Sequence, residues 1–176
     1  MLSTPPESRV LVVLADHGQF YLQDLDAHDR WMRTTGAHAD LPPAGWTAEA
    51  VNVHRIGVEP HSLSIGTARS DHVETTLRFC ESAPPLDPEA EHSVEADLEL
   101  LGDDLAIYGP ADDPGREQHV PATAGGYRVR VSYVPSEPPA LRNEHEAGDY
   151  FHYAIDLWPR VTPTALEVLK QGPDPW

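Results

Sequence analysis

The chain has 176 residues, long enough for one domain whose core buries roughly 70% of the surface of the unfolded chain. Twelve basic residues stand against 29 acidic ones, and the formal net charge at pH 7 is −17. A field of this sign repels nucleic-acid phosphates and anionic lipid and attracts basic proteins. We therefore expect neither direct nucleic-acid binding nor membrane binding.

Cys80 is the single cysteine, which excludes an intramolecular disulfide and a cysteine-based zinc knuckle. The apolar run at 10–15 is too short for a signal peptide or a membrane span, and residues 1–13 lack the basic start of a leader. These features predict a cytoplasmic protein. The strand pattern described next predicts a single β-sandwich domain over residues 1–176.

The first quarter of the chain predicts a strand, a long loop and one short helix. Strand-like residues at 9–24 are interrupted around Gly18, which permits either a tight turn or a bulge in one long strand. Residues 26–45 carry no clear period and predict a long loop. Thr47 is suited to cap a short helix over 46–51.

Alternating apolar and polar residues in the middle of the chain predict two hairpins. The first pairs residues 63–67 with 73–79, and the second pairs 94–100 with 105–108. The proline-rich segment 83–88 between them cannot be part of a central strand.

The last third contains the clearest strand pair, 126–133 and 151–158, with a polar and mobile loop expected at 135–148. Aromatic and aliphatic residues form one face of each strand: Tyr127, Val129, Val131 and Tyr133 in the first, and Phe151, Tyr153, Ile155 and Leu157 in the second. Residues 162–176 predict a short helix and a frayed tail, with Thr164 as the cap.

Together these elements predict a mostly β protein with one or two short helices. Seven or eight strands separated by turns are typical of an antiparallel β-sandwich or a jelly-roll-like fold.

A row of carboxylates on one strand is the first candidate binding site. Its members are Glu95, Asp97 and Glu99. On one strand face these charges lie about 6.6 Å apart, within the Debye length of ~8 Å, so a basic partner would relieve their repulsion. The alternative is neutralisation within the sheet by Arg78, Arg128 or Arg130. Acidic loop residues, Glu144, Glu146 and Asp149, are further candidate contacts.

An alternative polar site consists of Asp16, His17 and His152, if folding brings them together. It would suit a jelly-roll enzyme with a metal ion, or a protein that binds a small ligand. Closely spaced zinc ligands, a phosphate-binding loop, a dinucleotide glycine fingerprint and a Gly-x-Ser-x-Gly nucleophile turn are missing from the sequence. We therefore predict no cofactor and no bound metal, and favour a protein without catalytic activity.

Three segments give a resemblance to a known family. They are DHGQFYLQD at 16–24, GYRVRVSY at 126–133 and YFHYAIDLWP at 150–159. They resemble uncharacterised bacterial proteins distantly similar to the competence protein ComJ, which inhibits a secreted or membrane-associated nuclease. The resemblance implies a shared fold and a nuclease-inhibitor-like role. It identifies no contact residue, because the shared segments are structural.

The implied role agrees with the charge. A nuclease cleft is basic because it holds phosphate, and an acidic protein can occupy such a cleft as a phosphate mimic. We therefore predict a protein-binding module without catalytic activity, whose partner is a basic protein such as a nuclease. A third hypothesis is a structural subunit that assembles through its aromatic strand and Trp158.

Overall fold

The computed structural model describes residues 7–36, 42–113, 115 and 118–173. These residues form one α-helix, α1 (Leu25–Thr35), and strands that belong to two sheets. The strands are β1 (Glu7–Leu14), β2 (Gln19–Gln23), β3 (Ile56–Glu59), β4 (Ser62–Gly66), β5 (His72–Phe79), β6 (His92–Leu100), β7 (Asp104–Tyr108), β8 (His119–Pro121), β9 (Gly125–Pro135), β10 (Phe151–Pro159) and β11 (Glu167–Lys170).

The first sheet has the strand order β1-β5-β10-β9-β6-β11, and the second has the order β3-β4-β2-β7-β8. Strand β10 runs parallel to β5, while the other paired neighbours are antiparallel. The predicted mostly β, sandwich-like class is therefore confirmed.

The core lies between the two sheets. The strand pair β9 and β10 forms as predicted, with Tyr133 opposite Tyr153. Both tyrosines are fully buried, and the Tyr153 ring packs edge-on against Phe20 of the second sheet at 5.6 Å between centroids. Aromatic side chains with this contact geometry stabilise a core beyond the area that they bury.

The two predicted middle hairpins are wrong. Strand β4 belongs to the second sheet and β5 to the first, and β6 and β7 are divided in the same way. Alternation identifies a strand but not its partner. Strand β4 instead pairs with β3, which directly precedes it in the chain, and with β2.

The interruption at residues 16–18 is a tight 3-10 turn that carries the chain from β1 in one sheet to β2 in the other. His17 and Gly18 both adopt the left-handed conformation there, with φ of 55° and 67°. Glycine adopts this conformation at little cost, which explains its position in the turn.

The long loop predicted for residues 26–45 is wrong over its first part, where α1 lies. Asp24 caps the helix by accepting a hydrogen bond from the Ala27 amide at 3.0 Å, and Gly36 ends it with φ of 60°. The helix is polar overall and buries only Ala27 and His28, so few apolar residues mark it in the sequence.

The short helix predicted around residue 47 is present and ends in a π-helical segment, Ala50–His54. Thr47 caps it as predicted, accepting a hydrogen bond from the Ala50 amide at 3.0 Å.

The tail helix is wrong. β11 occupies this segment, because pairing with the edge of β6 gives backbone hydrogen bonds and packing that an isolated short helix lacks. The carbonyl of Gly172 accepts a hydrogen bond from Arg55 at 3.0 Å, and residues 174–176, where fraying was expected, lie outside the described residues.

Candidate functional site

The carboxylate row on β6 is neutralised within the sheet. Glu95 lies opposite Arg130 and Asp97 lies opposite Arg128 in the β6–β9 register. Arg130 Nη2 is 2.8 Å from Glu95 Oε1, and Arg128 Nη1 is 3.0 Å from Asp97 Oδ1. Neutralisation by arginines within the sheet is the alternative that the sequence left open for these carboxylates. Glu95 is only 9% exposed, so it offers little surface to a partner.

The same polar network extends beyond β6. Arg160 Nη1 lies 2.8 Å from Asp97 Oδ2, and Arg78 Nε lies 2.6 Å from Asp156 Oδ1. Burial raises the pKa of Asp97, but the Thr164 amide and the Arg128 and Arg160 guanidinium groups outweigh it, and the pKa lies below its usual value. Asp97 therefore stays ionised and paired.

Glu99 differs from its two neighbours because it is exposed at the end of β6. It belongs to a separate acidic surface at this end of the molecule, described below.

The acidic residues of the loop before β10 are likewise partly buried and partly exposed. Asp149 is only 2% exposed and accepts hydrogen bonds from the Arg69 amide, the Phe151 amide and the Tyr153 hydroxyl at 2.8, 2.9 and 3.0 Å. It therefore holds the loop against the sandwich. Glu144 and Glu146 are exposed, although Glu146 Oε2 also accepts from the Asn143 amide at 2.7 Å.

The loop is fastened at a second place as well. Arg142 forms an ion pair with Asp71, and the Gly148 amide donates to the His72 carbonyl at 2.8 Å. The loop is therefore tied to the start of β5, by one side-chain ion pair and one backbone hydrogen bond.

The three residues of the alternative polar site make no contact that joins them. Asp16 and His17 contact each other in the turn after β1, with Asp16 Oδ2 3.6 Å from His17 Nε2. His152 instead contacts β5, through Glu74 at 3.0 Å and Thr76 at 2.9 Å. In the part of the chain that the structure describes, no group of three or more His, Cys, Asp or Glu side chains is arranged to hold a metal ion.

An acidic surface that the sequence pattern does not predict lies where the start of α1 meets the β6–β7 turn. We call it the acidic end: the exposed carboxylates Asp26 and Asp103 line it, and we include the exposed Asp29 and Glu99, which are close to them along the chain. A cleft of about 250 Å³ opens in it, with Asp24, Arg30, Asp104 and His119 also in its lining. The four carboxylates come from two segments, 26–29 and 99–103, far apart in the sequence.

Asp24 joins the two segments. Besides capping α1, its carboxylate accepts hydrogen bonds from the amides of Leu101 and Gly102 at 2.8 and 2.9 Å. Burial raises the Asp24 pKa, but these backbone amides outweigh it, so the pKa is lower than usual. One buried carboxylate therefore fixes the position of the exposed ones.

A second cavity lies along α1, on the outer face of the second sheet. It has a volume of about 260 Å³, and we call it the tyrosine cavity. Its lining residues are Tyr21, Gln23, His28, Asp29, Met32, Pro43, Ala44, Glu59, Ser62 and Tyr108.

The two tyrosine rings of this cavity lie edge to face, with centroids 5.3 Å apart. Tyr108 donates a hydrogen bond to Gln23 Oε1 at 3.1 Å. Burial raises the pKa of Tyr108 to about 12, with smaller contributions from Tyr21 and the Asp29 charge. Burial also raises the pKa of Tyr21, and the negative charge of Glu59 adds to this effect.

A histidine and a carboxylate form the buried wall of the tyrosine cavity. His28 Nδ1 is 2.8 Å from the Pro60 carbonyl, which can only accept, so Nδ1 carries the proton. His28 Nε2 lies 3.5 Å from Glu59 Oε2, and both side chains are 6% exposed. His28 is thus held between the Pro60 carbonyl and Glu59 at this wall.

The signals for these two sites in the sequence are weak. The sequence signals of α1 are Asp24, which caps its start, and Gly36, which ends it after eleven helical residues. Nothing in the local pattern brings Tyr21 of β2 next to Tyr108 of β7, because that contact depends on the strand order of the second sheet.

Comparison with solved structures identifies the fold. ComJ from Bacillus subtilis, described as an inhibitor of the DNA degrading activity of NucA, superposes with a TM-score of 0.62 over 89% of this chain and 100% of its own. The chain shares its fold with ComJ. The sequence identity is 15%, so this match shows a common fold. It confirms the fold that the resemblance of the three segments implies.

A second structure has a similar fold. It is described as crocagin biosynthetic gene J, with a TM-score of 0.52 and 16% identity over 89% of this chain and 99% of its own. No protein-family model matches the chain, and no curated protein matches it significantly. Among the described residues, no helix has the length and apolar character needed to cross a bilayer.

Proposed function

We propose that this protein has no catalytic activity and acts by binding a basic protein, a nuclease whose DNA-degrading activity it inhibits. The acidic end is the proposed contact surface. The observation that carries the proposal is the separation of charge. Arg78, Arg128 and Arg130 of the first sheet are paired within the fold, whereas the carboxylates Asp26 and Asp29 at the start of α1 face solvent.

Ion pairs among the described residues use more arginines than carboxylates. Arg78, Arg128, Arg130, Arg142 and Arg160 pair there with Glu95, Asp97, Asp156 and Asp71. The chain has 29 acidic residues and twelve basic ones, so this pairing leaves the remaining surface even richer in negative charge. Such a surface attracts a basic partner over a Debye length and speeds its association.

The acidic end has a shape suited to this role. Its carboxylates are held by the capped start of α1 and by a turn fastened through Asp24, so they are positioned before a partner arrives. Pre-positioned charges avoid part of the entropy cost of binding. Carboxylates at fixed spacing can replace DNA phosphates in a basic cleft.

Two further features support the proposal. The fold is shared with ComJ, whose description is that of a nuclease inhibitor. The exposed loop residues Glu144 and Glu146 provide a second acidic contact, on a loop fastened to β5. We propose the loop as an accessory contact, since it carries fewer fixed carboxylates than the acidic end.

The test is inhibition of DNA degradation. Basic nucleases from the source organism that are retained on the immobilised protein at low salt are purified and mixed with it in a DNA-degradation assay. We expect stoichiometric inhibition that weakens with added salt. The proposal would be contradicted if every retained nuclease kept its full activity at every ratio of this protein to nuclease.

A further inference from the structure

We propose that a cavity on the outer face of the first sheet binds a small organic molecule through one carboxylate group. The cavity has a volume of about 570 Å³ and is lined by Trp158 of β10, so we call it the tryptophan cavity. Arg128 of β9 and Arg160, which follows β10, supply its cationic lining. The acidic end lies elsewhere, around α1 and the β6–β7 turn, so this assignment is independent of the proposed nuclease partner.

The arginines around this cavity outnumber the carboxylates that they pair with. Arg128, Arg130 and Arg160 share two carboxylates, those of Glu95 and Asp97, at 2.8 to 3.1 Å. Among the described residues, this ion-pair network is therefore one negative charge short. The Arg128 and Arg130 side chains are only 7% and 8% exposed. A bound anion would balance the network at a place where salt and water screen charge poorly.

A hydrogen-bond donor is also left over at this place. Arg128 uses Nε and Nη1 for its bonds to Glu95 and Asp97. Its Nη2 is buried and has no hydrogen-bond partner among the described residues. Burying a donor without a partner is costly. Because Arg128 lines the cavity, an oxygen acceptor bound against it can supply the missing hydrogen bond.

Arg160 offers two more donors. Its Nη1 donates to Asp97 Oδ2 at 2.8 Å, and its Nε and Nη2 make no hydrogen bond within the described part of the chain. These two N–H groups form one edge of the guanidinium, which matches both oxygens of a carboxylate. The same edge of Arg78 binds Asp156 in this way, at 2.6 and 2.9 Å. The proposed ligand would therefore repeat a pairing that this sheet face already contains.

The rest of the lining limits the kind of ligand. Trp158, Pro159 and Val161 provide apolar contacts for the body of the molecule. The exposed carboxylates of Glu81 and Glu167 also line the cavity and repel a second negative charge. The volume lies within the ~300–1,000 Å³ typical of pockets for small molecules. These features favour an organic acid with a single charge over a phosphate ester or a nucleotide.

Nuclear magnetic resonance of the full chain labelled with ¹⁵N tests the inference, with benzoate as the probe at constant ionic strength. Benzamide, which keeps the ring and the planar head group but carries no charge, is the matched control. Phenyl phosphate tests the doubly charged alternative. We expect saturable shifts of the Trp158 indole and of the Arg160 and Val161 amides with benzoate. Phenyl phosphate should bind more weakly, and benzamide should give no saturable shift.

Two variants locate the site. Arg160→Gln removes the partly exposed cation and should weaken benzoate binding about tenfold or more. Arg128→Lys keeps the positive charge but removes Nη2, and it should weaken binding as well. The Arg160 variant keeps the test valid if the buried Arg128 variant fails to fold. Arg33→Gln removes an exposed cation of α1, outside the cavity, and should leave binding unchanged.

Equal binding of benzoate and benzamide, tighter binding of phenyl phosphate, or shifts centred elsewhere would overturn the inference. Benzoate binding that Arg160→Gln leaves unchanged would also overturn it. The same holds if benzoate gives no saturable shift at any soluble concentration, because water alone would then satisfy the Nη2 group of Arg128.

Discussion

Arg130 of β9 lies directly opposite Glu95 of β6, and the two side chains form an ion pair on the outer face of the first sheet. The residues are 6% and 9% exposed, so the pair is largely removed from water. Arg130 also packs over the Trp158 ring at 5.3 Å and donates to the Pro84 carbonyl at 2.7 Å. Its hydrogen-bonding groups are thus directed inwards, towards the fold.

We predict that Glu95→Gln destabilises the protein by about 3 kcal/mol, because it leaves Arg128 and Arg130 buried with one carboxylate fewer. Urea unfolding followed by circular dichroism measures the change in the free energy of unfolding. The exposed control Glu89→Gln should change it by less than about 0.5 kcal/mol. Equal stability of the two variants would show that the Glu95 pair contributes nothing.

His92 gives a prediction about pH. It is fully buried, its Nε2 is 3.0 Å from the His54 carbonyl, and its Nδ1 accepts from the Gly172 amide at 3.4 Å. Burial lowers its pKa to about 4, although the His54 carbonyl acts in the opposite direction, and Arg55 and His54 lower it further. The neutral ring is therefore the form that fits the fold.

Because the folded pKa lies below the unfolded value of about 6.5, this contribution to stability is complete above pH 6.5 and is lost as pH falls towards 4. The loss amounts to roughly 3 kcal/mol across the window. Urea unfolding at several pH values should show a shallower decline for His92→Gln than for the unchanged protein. His145→Gln, at an exposed ring, should keep the original slope. Parallel curves for all three proteins would contradict the prediction.

Tyr153 links the aromatic core to the acidic loop. Its hydroxyl donates to Asp149 Oδ1 at 3.0 Å and accepts from the Ala68 amide at 3.2 Å. Tyr153→Phe should therefore reduce the free energy of unfolding by about 1–3 kcal/mol, since it leaves buried polar groups without a partner. Tyr150→Phe, at a residue that is 53% exposed, is the matched control and should be nearly neutral. A neutral Tyr153→Phe would mean that its hydroxyl bonds add no net stability.

Alternation was sufficient to predict the pairing of β9 with β10. Tyr133 and Tyr153 each lie on the apolar face of a period-2 strand, and the loop between them is the direct connection. The same reasoning failed for β4 with β5, because each strand pairs in a different sheet. Local patterns do not contain the strand order that decides this.

The candidate site was harder still to predict. Glu95 and Glu99 look equivalent in the sequence, yet one is buried against Arg130 and the other is exposed. The difference depends on which residue lies across from each, and Glu99 faces Gly126. Charge patterns thus indicated an acidic protein, while the register decides which charges reach solvent.

Asp24 gives a prediction that connects stability with binding. Asp24→Ala removes three hydrogen bonds, from the amides of Ala27, Leu101 and Gly102. We expect a loss of about 1–3 kcal/mol in stability and weaker partner binding, because the acidic end loses its fixed arrangement. Asp26→Ala removes a nearby charge without these bonds and should weaken binding with little change in stability. Unchanged α1 amide signals in Asp24→Ala would contradict this role.

The most direct test of the central claim is calorimetric titration of the purified basic partner against a variant with Asp26, Asp29 and Asp103 changed to Asn. The matched control changes the exposed Glu81, Glu89 and Glu137 to Gln, which removes the same charge elsewhere. We predict that the first variant binds at least about tenfold more weakly than the control, and that this difference disappears near 1 M salt, where the Debye length is about 3 Å. Equal affinities of the two variants at low salt would contradict binding through the acidic end.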